Sequence, residues 1–305
     1  MKQQFLKSNQ SLQAVEPAYD MTIAGNSVYS NALHLMGFEF DGTACFRKGT
    51  VHGPNAFRRV SDGIETYSPY LDADTEDLPP FYDLGNLVAR NEKGEQSWER
   101  ATEHFNEIFG DIDLRKENVR TIVLGGEHSI SYAPIKRYLE CYSDLVLLHL
   151  DAHADLRDGY LGYHYSHASI IRRVLDHFGE GHSLIQYGIR SGTKEEYQWM
   201  QENNTVMTSR AALLERLRAI PADRPVYLTF DLDYFDPSFF PGTGTPEPGG
   251  EDFHSFISII KILRQKNFVG CDVVELSPDI DPTDNSSVFA TKVLRELILL
   301  LGNIK

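Results

Sequence analysis

Thiols, positive charge and long apolar runs are what this sequence has least of. Its 305 residues include three cysteines, Cys45, Cys141 and Cys271. An odd number without metal-type spacing speaks against a disulfide framework and a thiolate metal centre, and fits reduced thiols in a cytoplasm. Lysines and arginines number 29 against 44 aspartates and glutamates, a formal charge of −15. That balance argues against a nucleic-acid partner and favours a cationic small molecule. The opening MKQQFLKSNQ lacks the apolar stretch of a secretory signal. The longest apolar run near the end, LILLL, is far short of the ~20 residues that span a membrane. A cytoplasmic protein without a membrane partner is the expectation.

What the chain does have is alternation. Hydrophobic residues make up 41% of it, enough for a sizeable core. Short apolar runs at 33–40, 81–84, 121–124, 145–150, 184–189, 205–207, 226–230 and 269–276 predict strands. Helical spacing fills the gaps, with Trp98, Ala101, Phe105 and Phe109 on one face and Phe256, Ile259, Ile260 and Leu263 on another. Pro54 suits the first turn of a helix, and Thr193 and Asn285 suit N-caps. Strand and helix alternating about eight times predict an α/β fold: a single-domain three-layer α-β-α sandwich with a mostly parallel, about eight-stranded sheet. Residues 1–31, polar and patternless, read as an N-terminal arm that packs on a neighbouring subunit, and 32–305 as the catalytic domain.

Acids and histidines gather at strand ends, where ligands bind in such sheets. LGGEHS places His128 after one strand. LHLDAHAD places Asp151, His153 and Asp155 at the end of the next. TFDLDYFDP places Asp231 and Asp233 at a third, and DVVELSP places Glu275 at a fourth. Residues two apart on an extended chain share a face, so each group points one way. Four carboxylates converging with two imidazoles would repel one another unless cations sat among them. Two divalent ions roughly 3.5–4 Å apart account for that number of ligands. The oxygen-rich set lacks cysteine and suits Mn²⁺. His149 shares the parity of Asp151 and is either a further ligand or a core histidine behind the site. PGTGTPEPGG (241–250) is not a phosphate loop, since no GK[ST] follows it. It is expected to rim the site, with Thr245 as a polar contact, while Arg157 and Asp158 are expected to be solvated or paired.

GGEHS (125–129), DAHADLRD (151–158), SHAS (166–169), TFDLDYFDP, PGTGTPEPGG and DVVELSP together resemble the ureohydrolases, the family of arginase, agmatinase and formimidoylglutamase. The likeness runs from about residue 32 to the end. IETYSPYLD (64–72), QYGIRSGTKEE (186–196) and SHASIIRR resemble the agmatinase branch. A departure is DLGN, which ends in Asn86 where agmatinases often carry aspartate. The resemblance implies two Mn²⁺ per subunit held by His128, Asp151, His153, Asp155, Asp231 and Asp233, with Asp151 and Asp231 bridging. It implies that Glu275 holds the guanidinium and that His167 relays protons, with His164 as a possible substitute. It also implies a homo-oligomer, trimer or hexamer.

On this reading a hydroxide held between the two ions attacks the guanidinium carbon, and Asp155 passes its proton to the leaving amine. GYLGYHYSHAS replaces the loop that reads an amino-acid carboxylate in arginases. Its tyrosines, Tyr163 among them, suit a second cation. The expected reaction is therefore agmatine to putrescine and urea, which would place the enzyme in polyamine biosynthesis. Alternatives are another substrate (aminopropylagmatine, guanidinobutanoate, arginine or formimidoylglutamate), a single-metal deacetylase-like hydrolase, and a non-catalytic, metal-dependent interaction protein.

Overall fold

The computed structural model describes residues 2–8, 12–19, 21–89 and 94–303, so Met1, 9–11 and Asp20 of the expected arm lie outside the described residues. In chain order the strands are β1 (Phe5–Ser8), β2 (Ile23–Ala24), β3 (Ser27–Tyr29), β4 (Ala32–Glu39), β5 (Tyr67–Ser68), β6 (Ala73–Asp74), β7 (Tyr82–Val88), β8 (Val119–Gly125), β9 (Val146–Leu150), β10 (Ser183–Tyr187), β11 (Val206–Met207), β12 (Pro225–Asp231) and β13 (Asn267–Val274). The helices are α1 (Gly53–Ser61), α2 (Glu95–Phe109), α3 (Tyr132–Cys141), α4 (Ile170–Leu175), α5 (Lys194–Glu202), α6 (Arg210–Ala219), α7 (Phe253–Leu263) and α8 (Asn285–Leu301).

Nine strands form one sheet in the order β11-β10-β9-β12-β13-β8-β4-β7-β2, and all its neighbouring pairs are parallel. Such a sheet must be covered on both faces, because the residues alternate sides and both sides are apolar. On β8, Ile122 and Leu124 join a core with Phe57 of α1, Leu213 of α6, Phe256 of α7 and Leu294 of α8. Val119 and Val123 join the opposite core with Phe105 of α2, Tyr138 of α3 and Ile171 of α4. The result is the three-layer sandwich.

The eight expected strands are all present, and the ninth comes from the segment expected to be a patternless arm. Ile23–Ala24 pairs with β7, β1 pairs with β3, and Tyr19 donates its hydroxyl to Thr291 O at 2.9 Å. Those described residues fold onto their own chain. Thr193 caps α5 as expected, accepting from Glu196 N, but Asn285 is the first residue of α8 with Asp284 before it.

Asn86 is fully buried, and its amide has two polarities in use. Its Oδ1 accepts from Arg58 Nη1 at 2.6 Å, while its Nδ2 donates to Glu39 Oε1 at 2.7 Å. A carboxylate there could accept from Arg58 but would oppose Glu39, which gives the DLGN departure a local reason.

Candidate active site

Four adjacent strands at the middle of the sheet, β9, β12, β13 and β8, deliver the acids and histidines to one place. Glycine makes the β8 turn possible. A Cβ on Gly126 would lie 2.2 Å from Phe40 O and 2.8 Å from Phe38 O, so only a bare backbone brings the next residues this close to β4. His128 follows, buried at the start of a short 3₁₀ turn.

The side chains form two groups around two imidazole nitrogens. His128 Nδ1 lies 3.0 Å from Asp151 Oδ2, 3.1 Å from Asp155 Oδ2 and 3.4 Å from Asp231 Oδ2. His153 Nδ1 lies 3.0 Å from Asp233 Oδ2 and 3.5 Å from Asp151 Oδ1. The two oxygens of Asp151 thus face different histidines, and Asp151 belongs to both sets of donors close enough to share an ion. Asp231 is the most distant of the three carboxylates from His128 Nδ1, and its Oδ1 accepts from Asp233 N at 2.8 Å.

The donor set fits divalent cations. His128 Nδ1 is buried and makes no well-formed hydrogen bond, despite three carboxylate oxygens around it. The electrostatics call for positive charge at that point. Burial raises the Asp231 carboxyl well above its ordinary range, and the charges of Asp233 and Asp151 add to it. Burial and Asp151 push Asp155 up to about 7. Burial would lower His128, but Asp151, Asp155 and Asp231 outweigh it and hold it well above normal. His153 is raised in the same way against its burial, by Asp233 and Asp151. A proton or a metal ion can meet that demand, and buried oxygen-rich clusters of this kind are the habit of divalent metals.

His149 stands close enough to be counted with the first group, but its hydrogen bonds give it another task. Thr205 Oγ1 donates to Gln186 Oε1 at 2.8 Å, which turns the Gln186 amide nitrogen toward His149 Nδ1 at 3.2 Å. Nδ1 therefore accepts, and Nε2–H donates to Asp151 Oδ2 at 2.8 Å. His149 orients Asp151 from behind.

A cavity of about 150 Å³ opens over the cluster, lined by His128, His153, Asp155 and Asp231 together with His167, Thr245 and Glu275. Glu275 Oε1 accepts from His128 N at 2.9 Å. Asp155 and Glu275 both sit in the left-handed region, at φ 54° and 67°, conformations that cost an ordinary residue roughly 1–3 kcal/mol. Thr245 Oγ1 is 3.4 Å from Asp233 Oδ2. Tyr163 does not line the cavity. Its ring packs on Gly94, because the backbone bridge between Tyr160 and Tyr163 turns the loop so that Tyr160 faces inward. Arg157, expected to be solvated or paired, also lines the cavity, with its guanidinium 4.7 Å from the Tyr160 ring centroid. His164 contacts Arg173 at 2.6 Å and is not a cavity residue among those described.

Three residues went unnoticed in the sequence. Glu196, buried in the cavity wall, accepts from Leu156 N at 2.9 Å and Thr193 N at 2.7 Å. Glu127, the acid of GGEHS, is fully buried and accepts from Thr43 Oγ1 at 2.5 Å. That same Thr43 oxygen accepts from His167 N at 3.2 Å and lies 3.4 Å from His167 Nδ1. Burial pulls His167 below its ordinary pKa, and the charges of His153 and His128 lower it further, against the pull of Glu127. The position of Glu127 inside the GGEHS motif was the available signal, and Thr43 had none.

Compared with known proteins, the chain matches the arginase family over residues 31–300. The chain belongs to the arginase family. It is similar to the agmatinase of Bacillus subtilis, 37% identical over 276 residues that cover 89% of this chain and 91% of that protein. It superposes on a candidate agmatinase from Clostridium difficile with a TM-score of 0.81 at 38% identity, covering 90% of this chain and 98% of that one. Proclavaminate amidino hydrolase from Streptomyces clavuligerus gives a TM-score of 0.79 at 26% identity, covering 90% and 93%. The likeness is to the agmatinase branch. The protein is thus a hydrolase of guanidino C–N bonds with a buried His/Asp metal cluster.

Proposed function

We propose that the protein hydrolyses agmatine to putrescine and urea, at a site where His128, Asp151, Asp155 and Asp231 would hold one Mn²⁺ and His153 and Asp233, with Asp151 and Asp231 again, would hold the other. The observation that carries this reading is the division of Asp151 between two histidine-centred groups, in a chain whose relatives include the Bacillus subtilis agmatinase. Manganese is chosen because the ligands are oxygens and imidazoles without a thiolate. When bound, such a pair of ions supplies Lewis-acid charge that lowers the pKa of water and neutralises the carboxylates.

The chain's own groups do the rest. Glu275 has one oxygen committed to the His128 amide and the other free to face a guanidinium, fixing the planar cation over the cluster. Asp155 carries a proton from the attacking water to the departing amine. His167, held neutral in the cavity wall, exchanges protons with solvent there. Glu196 in the cavity wall offers the substrate's second cation a carboxylate, beside the Tyr160 ring on which Arg157 stacks. Thr245 holds Asp233 from the rim. The described residues include no helix long and apolar enough to cross a membrane. A cytoplasmic homo-oligomer, trimer or hexamer, acting in polyamine biosynthesis completes the proposal.

Arg157 favours a second reading. A guanidinium at the cavity wall would attract a carboxylate tail, as in 4-guanidinobutanoate. Urea release from agmatine, aminopropylagmatine, 4-guanidinobutanoate and arginine by the Mn²⁺-loaded protein separates the two. The highest kcat/KM is expected for agmatine, and preference for either carboxylate-bearing compound, 4-guanidinobutanoate or arginine, overturns the agmatine reading.

A further inference from the structure

One layer beneath the cavity floor, three neighbouring strands bring side chains into line that no local motif connects. Register places His149 of β9 opposite Thr229 of β12, and Thr229 opposite Asp272 of β13. Asp272 is fully buried and accepts hydrogen bonds from three hydroxyls. Its Oδ1 accepts from Thr229 Oγ1 at 2.7 Å and from Ser131 Oγ at 2.8 Å, and its Oδ2 accepts from Tyr227 OH at 2.9 Å. The other neighbour of Thr229 Oγ1 is His128 Nε2, at 2.9 Å.

The proton count settles the direction of this chain. A threonine hydroxyl has one proton and two lone pairs. With the proton committed to the Asp272 carboxylate, the hydroxyl can only accept from His128, so Nε2 must carry hydrogen. In the neutral ring the opposite nitrogen, Nδ1, then turns its lone pair to the oxygens of Asp151, Asp155 and Asp231 at 3.0, 3.1 and 3.4 Å. Acceptors facing acceptors are held together only by a cation between them.

We propose that Asp272 and Thr229 are positioning residues that fix the Nε2–H tautomer and ring orientation of His128, committing Nδ1 to the metal. The proposal rests on the two-metal reading above. Carboxylates behind metal-bound histidines commonly act directly on the ring. Here a threonine stands between, so the information passes through one hydroxyl whose direction is set by the buried acid. Neither residue touches substrate, and neither contributes a ligand atom.

The test is a calorimetric titration of the metal-stripped full-length protein with Mn²⁺ alone, comparing wild type with Thr229→Val and Thr229→Ser. Thr229→Val keeps the shape of the side chain and removes the hydroxyl, while Thr229→Ser keeps the hydroxyl. Wild type is expected to bind two ions. Thr229→Val should bind one of them normally and the His128 ion roughly 10- to 100-fold more weakly, whereas Thr229→Ser should restore both. Asp272→Ala should behave as Thr229→Val, and circular dichroism of each metal-free variant checks that it folds. Two ions bound by Thr229→Val with wild-type affinity would overturn the proposal and leave the two-metal reading standing. Equal weakening of both ions, or no rescue by serine, would assign the effect to packing and also overturn it. A wild-type protein that binds no Mn²⁺ would remove the two-metal reading and the proposal with it.

Discussion

Replacing Glu275 by glutamine should make the protein a poorer enzyme and, without metal, a more stable one. The carboxylate is nearly buried and keeps one oxygen on the His128 amide, so the isosteric amide can retain that contact. What it loses is charge toward the guanidinium. A charge-assisted hydrogen bond to an ionised group contributes about 1.5–3 kcal/mol, which is roughly a 10- to 150-fold loss in kcat/KM. The stability effect has the opposite sign. Burial raises the Glu275 carboxyl well above its ordinary range, and the nearby charge of Glu127 adds to it. An acid raised in the folded state holds its proton where the unfolded chain has released it, so stability falls as pH rises above the unfolded value, about 4.3. Glutamine removes that slope. Urea-release kinetics with saturating Mn²⁺, Mn²⁺ titration, and metal-free thermal unfolding at pH 4 and pH 8 form the assay. The variant should keep both ions, lose kcat/KM, melt with wild type at pH 4 and melt higher at pH 8. Unchanged kcat/KM, or lower stability at pH 8, refutes the reasoning.

Removing metal from the wild type should lower its melting temperature, because a ligand at 100 times its Kd stabilises by ~2.7 kcal/mol per site; calorimetric scans with chelator and with Mn²⁺ restored check this. Burial holds His34 down near pH 4, so the native state refuses a proton that the unfolded state accepts near 6.5. Stability linked to His34 is therefore present above pH ~6.5 and lost as pH falls toward 4, by about 3 kcal/mol at most. His34→Phe, which can keep the stack on Tyr82, should show a smaller loss than wild type in denaturant titrations across that window. Thr43→Val should lower kcat by about tenfold, with metal stoichiometry unchanged and activity retained by Thr43→Ser. Equal kcat in all three proteins would separate Thr43 from His167.

The gathering of acids and histidines at neighbouring strand ends was legible in the sequence because its signals are local. The motifs put Asp151, His153 and Asp155 after β9 and Asp231 with Asp233 at the end of β12, but turns and not an extended chain aim them. Asp233 sits in a 3₁₀ turn, Asp155 is left-handed, and His153 faces Asp233 while Asp155 faces His128. The apolar runs before these motifs specify strands, and all eight are present in the sheet. The misreadings came where backbone direction or distant partners decide. Tyr163 and Tyr160 are alike as residues, and only the turn between them selects the one that faces the cavity. Arg157 reads as solvated or paired, and it does stack on Tyr160, but only the folded loop shows that it stands in the cavity wall. The described part of the arm has no periodicity, since its short strands are stabilised by pairing with β7 and with each other and not by a buried face of their own.

By itself, then, the sequence determined the strands, the residues at their ends, and the charge imbalance that demands cations. Only the tertiary structure decided which strand ends meet. The order β9-β12-β13-β8 is set by how the crossover helices pack, a property of the whole chain. That order lets one carboxylate, Asp151, face two histidines, and it pairs Asp272 with Thr229 on neighbouring strands beneath His128 in the turn after β8. Hydrogen-bond direction depends on lateral neighbours, and a linear spacing rule carries no information about them.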